Sequence, residues 1–248
     1  HNELLKYVGK DGVVDHMISR DSLNQSIKDI TSTNSDPCLG SCGLSVQYAI
    51  MMGLIHYAND HFAHQKIEFI VPPNCYGGTN DQARRVAACL DHVEIVDLPV
   101  DSGKDMVKEL ERILKEAANN NSVPFIIAEI PTNPRVEIPD LLKLEKVLTE
   151  VRNTRDGKTA VSPVFILDQT FCPNVKFLGN GDFLEKPQTI SYVSGSKFAA
   201  RILPPASDTI HCDAPVSHSP VMPSRMNTSA LPSAIKQAFS EQLPSGRV

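Results

Sequence analysis

The sequence of 248 residues contains no tryptophan, and no apolar run approaches the roughly 18 residues that a membrane-spanning helix needs. Basic clusters are missing as well: 24 Lys and Arg stand against 29 Asp and Glu, and the longest basic run is the pair Arg84–Arg85. Because phosphate backbones are bound by basic stripes, we expect neither a nucleic-acid nor a membrane partner. No signal peptide is visible, so a cytoplasmic location is expected. The hydrophobic fraction of 41% predicts a packed core.

The six cysteines form no Cys-x-x-Cys pair, which favours reduced thiols over a disulfide framework. Cys38 and Cys42 are separated by three residues, and no second pair completes a zinc set. His61 and His64 share one face near the end of a predicted helix and could hold a metal, but solvated histidines are the favoured interpretation. We therefore expect no metal site.

The hydrophobic pattern alternates between helices and short apolar strands. Strands that are apolar throughout indicate a sheet covered on both faces, so we expect an α/β fold with three layers, α/β/α, and a mostly parallel sheet. Ligands bind at the carboxyl ends of such strands. Helices are predicted over 43–62, 81–90, 105–118, 139–151 and, in a proline-rich tail, near 232–242; strands are predicted over 67–71, 93–96, 125–128, 164–167 and 189–193.

Four residues with reactive or polar side chains follow the predicted strands, although each could also have an ordinary structural role. Asp168 ends an apolar strand and could be a helix cap or an ion-pair partner. Lys197 could be a surface charge, and Tyr76 could simply occupy a turn before a helix. Asn133 lies between two prolines in a loop that could be merely rigid.

Five short sequence words containing these residues resemble the pyridoxal-phosphate enzymes of sulfur amino acid metabolism. This is the cystathionine synthase and lyase family, which includes methionine lyase and O-acetylhomoserine sulfhydrylase. The words span about residues 40 to 198. They are Ser41-Cys42-Gly43-Leu44-Ser45, Tyr76-Gly77-Gly78-Thr79, Glu129-Ile130-Pro131-Thr132-Asn133-Pro134, Asp168-Gln169-Thr170-Phe171 and Ser194-Gly195-Ser196-Lys197-Phe198.

The resemblance implies the pyridoxal-phosphate-dependent transferase fold, fold type I, with its large domain at 41–198. Residues 1–40 would be an amino-terminal segment. Residues 199–248 would be an irregular remnant, not necessarily continuous, of a carboxyl-terminal small domain that is largely missing. The family also implies a homo-oligomer, a dimer or tetramer.

Pyridoxal chemistry needs an amine and a carboxylate, and the resemblance assigns both. Lys197 would form a Schiff base with the cofactor aldehyde in a desolvated position and later remove the substrate α-proton. Asp168 would face the pyridine nitrogen and keep it protonated. By resemblance, Tyr76 would stack on the ring and assist proton transfer, and Asn133 would reach the ring's phenolic oxygen.

The cofactor phosphate needs donors that carry no competing negative charge. The backbone N–H groups of Cys42, Gly43 and Leu44 at a helix amino terminus could supply them, with the hydroxyls of Ser194 and Ser196. The family's amino-terminal Tyr-x-Arg word does not occur here. We therefore expect an upstream segment or a second subunit to complete the phosphate site.

The implied activity is elimination or replacement at the β or γ carbon of a sulfur amino acid or an activated homoserine, as in transsulfuration and in methionine and cysteine metabolism. Two departures are the Gln169 and Cys42 positions, where the family commonly has Asn and Ser. The arginine that binds the substrate carboxylate is not identifiable. Two alternatives stay open: an aminotransferase of the same fold, and a non-catalytic binding or assembly module that retains it.

Overall fold

The chain is described from a computed structural model. It describes residues 16–31, 36–100, 105–132, 135–173, 175–178, 184, 186–195 and 197. The tail 199–248, its predicted helix, and the site candidates Asn133 and Ser196 lie outside these residues.

Five helices and five strands follow in the described part of the chain. The helices are α1 (His16–Thr31), α2 (Gly43–His61), α3 (Gly77–Ala88), α4 (Met106–Asn120) and α5 (Leu141–Thr149); the strands are β1 (Ile67–Val71), β2 (Val93–Asp97), β3 (Val123–Glu129), β4 (Val164–Asp168) and β5 (Thr189–Tyr192).

All neighbouring strands are parallel, in the order β2-β1-β3-β4-β5. Successive side chains point to opposite faces of a strand, so each strand contributes side chains to two hydrophobic cores. Phe69 and Phe125 pack in one core with side chains of α2 and α3. Ile70 and Ile126 pack in the other with side chains of α4 and α5. The predicted three-layer fold with a mostly parallel sheet is thereby confirmed.

Two element starts and one additional helix are the main differences from the sequence-based prediction. Helix α3 begins at Gly77 rather than at residue 81, because the Tyr76 carbonyl accepts hydrogen bonds from the N–H groups of Thr79 and Asn80. Strand β3 starts earlier, at Val123, and its parallel pairing with β1 accommodates a proline. Helix α1 was not predicted at all. Among the described residues, no helix has the length and apolar character needed to cross a membrane.

The strand order locates the functional edge of the sheet. From β1 the chain moves outward to β2 and then returns to place β3 on the other side of β1. The connections therefore leave in opposite directions between β1 and β3. In open parallel sheets a crevice forms at such a switch point, outside the carboxyl ends of the strands.

Candidate active site

The crevice between β1 and β3 is bridged by a hydrogen bond between a backbone amide and a buried carboxylate. The Tyr76 N–H, in the loop after β1, donates to Glu129 Oε1 at 2.7 Å. Glu129 ends β3 and is only 6% exposed. The first turn of α3 is thus fixed to the adjoining strand at the point where the topology predicts a ligand site.

The Tyr76 ring lies against Gly78. A Cβ placed on Gly78 would be 2.6 Å from Tyr76 Cε1 and 3.1 Å from the nearest Leu44 methyl carbon. Such contacts are too close for any side chain, so glycine is required for this approach. Tyr76 remains 46% exposed. An exposed aromatic ring held by its neighbours is a surface on which a flat ligand can stack.

Asp168 lies one strand further along the same edge. In the register of the sheet, Asp168 pairs with Glu129 on β3 and with Tyr192 on β5. The half-buried carboxylate accepts a hydrogen bond from the Thr170 N–H at 2.9 Å through Oδ1. This bond fixes the orientation of the carboxylate at the end of β4.

The start of α2 meets the loop after β5. A Cβ on Gly43 would lie 3.0 Å from Ser194 Cβ and 3.2 Å from Ser194 Oγ. The Ser194 N–H donates to Thr170 Oγ1 at 3.0 Å, which connects this loop to the one that orients Asp168. Two of the predicted phosphate-binding residues, Gly43 and Ser194, are therefore adjacent.

The amides at the start of α2 are not all available to a ligand. The Cys42 N–H donates to Ser45 Oγ at 3.1 Å as part of a capping box. The Gly43 N–H donates no hydrogen bond within the described part of the chain. Of the predicted backbone donors, Cys42 is thus already engaged, whereas the Gly43 amide stays open.

The Cys42 thiol itself occupies the positive end of α2. Its pKa is lowered, chiefly by a hydrogen bond from the Ser45 backbone and then by the Ser45 side chain. The helix amino terminus stabilises the thiolate in the same way as it would stabilise any bound anion.

Lys197 follows one turn after β5. Its N–H donates to the Ser194 carbonyl at 3.3 Å, and its side chain is exposed. The ammonium group makes no hydrogen bond or ion pair with the residues described. These residues alone therefore do not give Lys197 the desolvated position expected from the sequence.

Burial and the two strand-end carboxylates set the protonation of nearby groups. Burial, followed by the Glu129 and Asp168 charges, raises the pKa of Cys75 to about 12. Burial and then Asp168 raise the pKa of Cys172 to about 11. The pKa of Tyr192 is also raised, mainly by burial and then by Asp168. All three groups stay protonated at neutral pH.

Sequence analysis missed a buried polar cluster beneath the site, formed by Gln47, Thr79 and Tyr192. Each of the three side chains is less than a tenth exposed. The only signal for it was a glutamine inside an otherwise apolar stretch of α2. Glu129 was noted only as part of a sequence word, and its contact with Tyr76 was not foreseen.

The arrangement can hold an anion and a flat ring next to each other. The open Gly43 amide and the Ser194 hydroxyl lie together at a helix amino terminus, which suits a phosphate. Tyr76 offers an aromatic face, and Asp168 offers an oriented carboxylate for a protonated ring nitrogen. The described residues therefore fit pyridoxal phosphate. Within the described residues no cluster of three or more His, Cys, Asp or Glu side chains is arranged to hold a metal ion.

Comparison with protein-family models gives no match, and no curated protein matches either. Among solved structures, the chain is similar to the cystine C-S lyase C-DES in complex with its product cysteine persulfide, at 11% identity and a TM-score of 0.54 over 80% of this chain and 49% of that one. SPT with PLP matches at 16% identity and a TM-score of 0.48 over 79% of this chain and 44% of that one. Mouse CSAD matches at 17% identity and a TM-score of 0.44 over 63% and 33%.

The chain therefore spans less than half the length of each of these solved chains. At such identities the similarity concerns the fold alone. The five parallel strands with helices on both faces are those of the large domain of fold type I, the pyridoxal-phosphate-dependent transferase fold.

Proposed function

We propose that this protein binds pyridoxal phosphate and catalyses elimination or replacement at the β or γ carbon of a sulfur amino acid or an activated homoserine. The observation that carries the proposal is the convergence of Gly43, Tyr76, Asp168 and Ser194 at one edge of a parallel sheet. The sulfur-family sequence words, which contain all four residues, support the choice of substrate class.

Bound pyridoxal phosphate supplies an electron sink that stabilises negative charge at the substrate α-carbon. Lys197 is the amine proposed to hold the cofactor aldehyde and, once freed, to take the α-proton on Nζ. Asp168 would keep a proton on the ring nitrogen through its Oδ oxygens. The rigid Asp168–Thr170 contact suits this role, because a fixed carboxylate needs no reorganisation.

The remaining residues would bind and orient. Tyr76 would cover one face of the ring and assist proton transfer. The Gly43 and Leu44 amides, with the hydroxyls of Ser194 and Ser196, would hold the phosphate. Asn133 would contact the phenolic oxygen, and Cys42 would contribute through its position at the helix start.

The substrate is proposed to be a small amino acid and the assembly a homo-oligomer, as the sequence words imply. The phosphate carries about two negative charges, and the Gly43 and Ser194 groups that meet at the start of α2 are neutral. A basic residue from another part of the chain or from a second subunit would balance this charge.

Product analysis tests the proposal. The protein loaded with pyridoxal phosphate is incubated with cystathionine, or with O-acetylhomoserine and sulfide, and ketoacid, thiol and new amino acid are assayed separately. Ketoacid with released thiol indicates elimination, and a new sulfur amino acid indicates replacement. Amino-group transfer to an added ketoacid would instead identify an aminotransferase. Cofactor binding without turnover of any substrate would identify a non-catalytic module.

The matched control is a pair of lysine variants. Lys197→Ala should abolish every activity, whereas Lys66→Ala should leave it intact. Lys66 forms an ion pair with Glu94 at the amino-terminal side of the sheet, far from the strand ends that carry the site.

A further inference from the structure

A single buried glutamine connects the three elements that carry the site. Gln47 lies in α2, is 1% exposed, and accepts two hydrogen bonds through Oε1. The donors are Thr79 Oγ1 at 2.9 Å and the Tyr192 hydroxyl at 3.0 Å. Gln47 Nε2 also donates to the Thr79 carbonyl at 3.3 Å.

Each partner belongs to a different functional segment. Gln47 lies just over one turn from Gly43 at the start of α2. Thr79 lies in the first turn of α3, directly after Tyr76 and the two glycines. Tyr192 ends β5, two residues before Ser194. The hydrogen bonds therefore span 32 and 145 positions of sequence and meet at one side chain.

We infer that Gln47 is a positioning residue, which fixes α2, α3 and β5 relative to one another so that Gly43, Tyr76 and Ser194 converge on one ligand. This inference rests on the proposed function, because it identifies what holds the phosphate and ring contacts in register.

The close packing above the cluster supports this role. A methyl group on Gly78 would clash with Tyr76, and one on Gly43 would make tight contacts with Ser194. A shift of any of the three elements by a few tenths of an ångström would therefore open or close these contacts. Apolar packing alone is non-directional and does not specify such a register, whereas hydrogen bonds with fixed geometry do.

Both acceptor positions of the Gln47 amide oxygen are occupied. The amide oxygen has two lone pairs, and the two hydroxyl donors use both. Because burial raises its pKa, the Tyr192 phenol keeps its proton and remains a donor across the working pH range. Replacing Gln47 with an apolar residue would remove the acceptor that the two buried hydroxyls share, which is costly in a dry interior.

The test compares Gln47→Leu with variants that remove the donors one at a time. Thr79→Val and Tyr192→Phe delete single hydroxyls with little change of shape, and Thr79→Ser keeps the donor. Ser122→Ala is the control for a generic loss of a buried hydrogen bond. Ser122 is 2% exposed and donates to Glu68 Oε1 at 2.6 Å, at the opposite end of the sheet.

The first measurement is amide hydrogen exchange on the protein without cofactor. Gln47→Leu should raise exchange together in segments 43–50, 77–83 and 189–194. Thr79→Ser should behave like the wild type, and Ser122→Ala should leave these three segments unchanged. Faster exchange confined to one segment, or an equal effect of Ser122→Ala, would overturn the inference. If Gln47→Leu does not fold, the double variant Thr79→Val with Tyr192→Phe takes its place.

The second measurement is a titration with pyridoxal phosphate. The affinity should fall about tenfold in Gln47→Leu and in the double variant, within the range expected when buried hydroxyls lose their partner, but not in Ser122→Ala or Thr79→Ser. An unchanged affinity in Gln47→Leu would contradict the positioning role. If the wild type binds no pyridoxal phosphate, the proposed function fails, while hydrogen exchange still decides whether Gln47 couples the three elements.

Discussion

At the scale of single residues, the proposed reaction depends most directly on the Asp168 carboxylate. Its Oδ1 accepts the Thr170 N–H, and an asparagine amide oxygen can accept the same bond. Asp168→Asn should therefore keep the loop and bind the cofactor but lower turnover by several powers of ten, each about 1.4 kcal/mol of barrier. The measurement is steady-state kinetics beside a cofactor titration.

Asp97→Asn is the control for this change. Asp97 ends β2, at the far side of the sheet, and pairs with Arg84 on the surface. Near-normal turnover in Asp168→Asn would remove this carboxylate from the mechanism.

Gly77 and Gly78, at the start of α3, allow two matched substitutions to be compared. A Cβ on Gly78 would lie 2.6 Å from the Tyr76 ring, whereas a Cβ on Gly77 would meet no atom within 4 Å. Gly78→Ala should displace the ring and weaken pyridoxal phosphate binding by about tenfold or more, a loss comparable to that of an aromatic contact. Gly77→Ala should bind like the wild type. Equal affinities for both variants would show that the ring makes no contact with the ligand.

At the scale of elements, the amino terminus of α2 is occupied by a thiol whose pKa is lowered by the Ser45 backbone. As pH rises, Cys42 becomes a thiolate and competes with a bound phosphate for the same positive helix end. The pKa of Cys42 is lowered from 9.0, the ordinary pKa of a thiol. Wild-type affinity for pyridoxal phosphate should therefore decrease as pH rises towards 9.

The variant Cys42→Ser isolates this effect, because a hydroxyl does not ionise in this range. Its affinity should depend less on pH than that of the wild type, in titrations between pH 7 and about 9. Identical pH profiles would show that Cys42 does not act on the phosphate.

The strands and most helices could be predicted because their signal is local. Strands such as Val164–Asp168 are apolar on both faces, and α4 alternates apolar and charged residues with helical period. The start of α3 could not be predicted, since Gly77 and Gly78 favour a turn by their own preferences and the helix depends on packing against Leu44.

From the sequence, the candidate site could be predicted only as a set of residues that follow strands. The sequence words brought Tyr76 and Asp168 into consideration, and the parallel sheet explains their common edge. The hydrogen bond from Tyr192 to Gln47 joins residues 145 positions apart, and nothing near either residue predicts it. Such contacts follow from the packing of α2 on β5 and so appear only in three dimensions.

At the scale of the whole molecule, buried thiols make stability depend on alkaline pH. The pKa of Cys75 is raised from 9.0 to about 12 in the folded protein. Above pH 9 the unfolded chain releases this proton while the folded protein retains it, so the free energy of unfolding falls as pH increases from about 9 towards 12.

Urea unfolding at a series of pH values measures this dependence. The urea midpoint of the wild type should fall more steeply between pH 9 and about 10.5 than that of Cys75→Ala. The exposed Cys89 provides the control, and Cys89→Ala should follow the wild type. Parallel curves for wild type and Cys75→Ala would contradict the assigned pKa shift.

The central claim is that one lysine, at the carboxyl edge of β5, holds the cofactor. The direct measurement is reduction of the pyridoxal-phosphate-loaded protein with borohydride, followed by mass mapping of the modified peptide. The account predicts a single modified residue, Lys197, with no modification in Lys197→Ala. Attachment to another lysine, or no attachment at saturating pyridoxal phosphate, would contradict it.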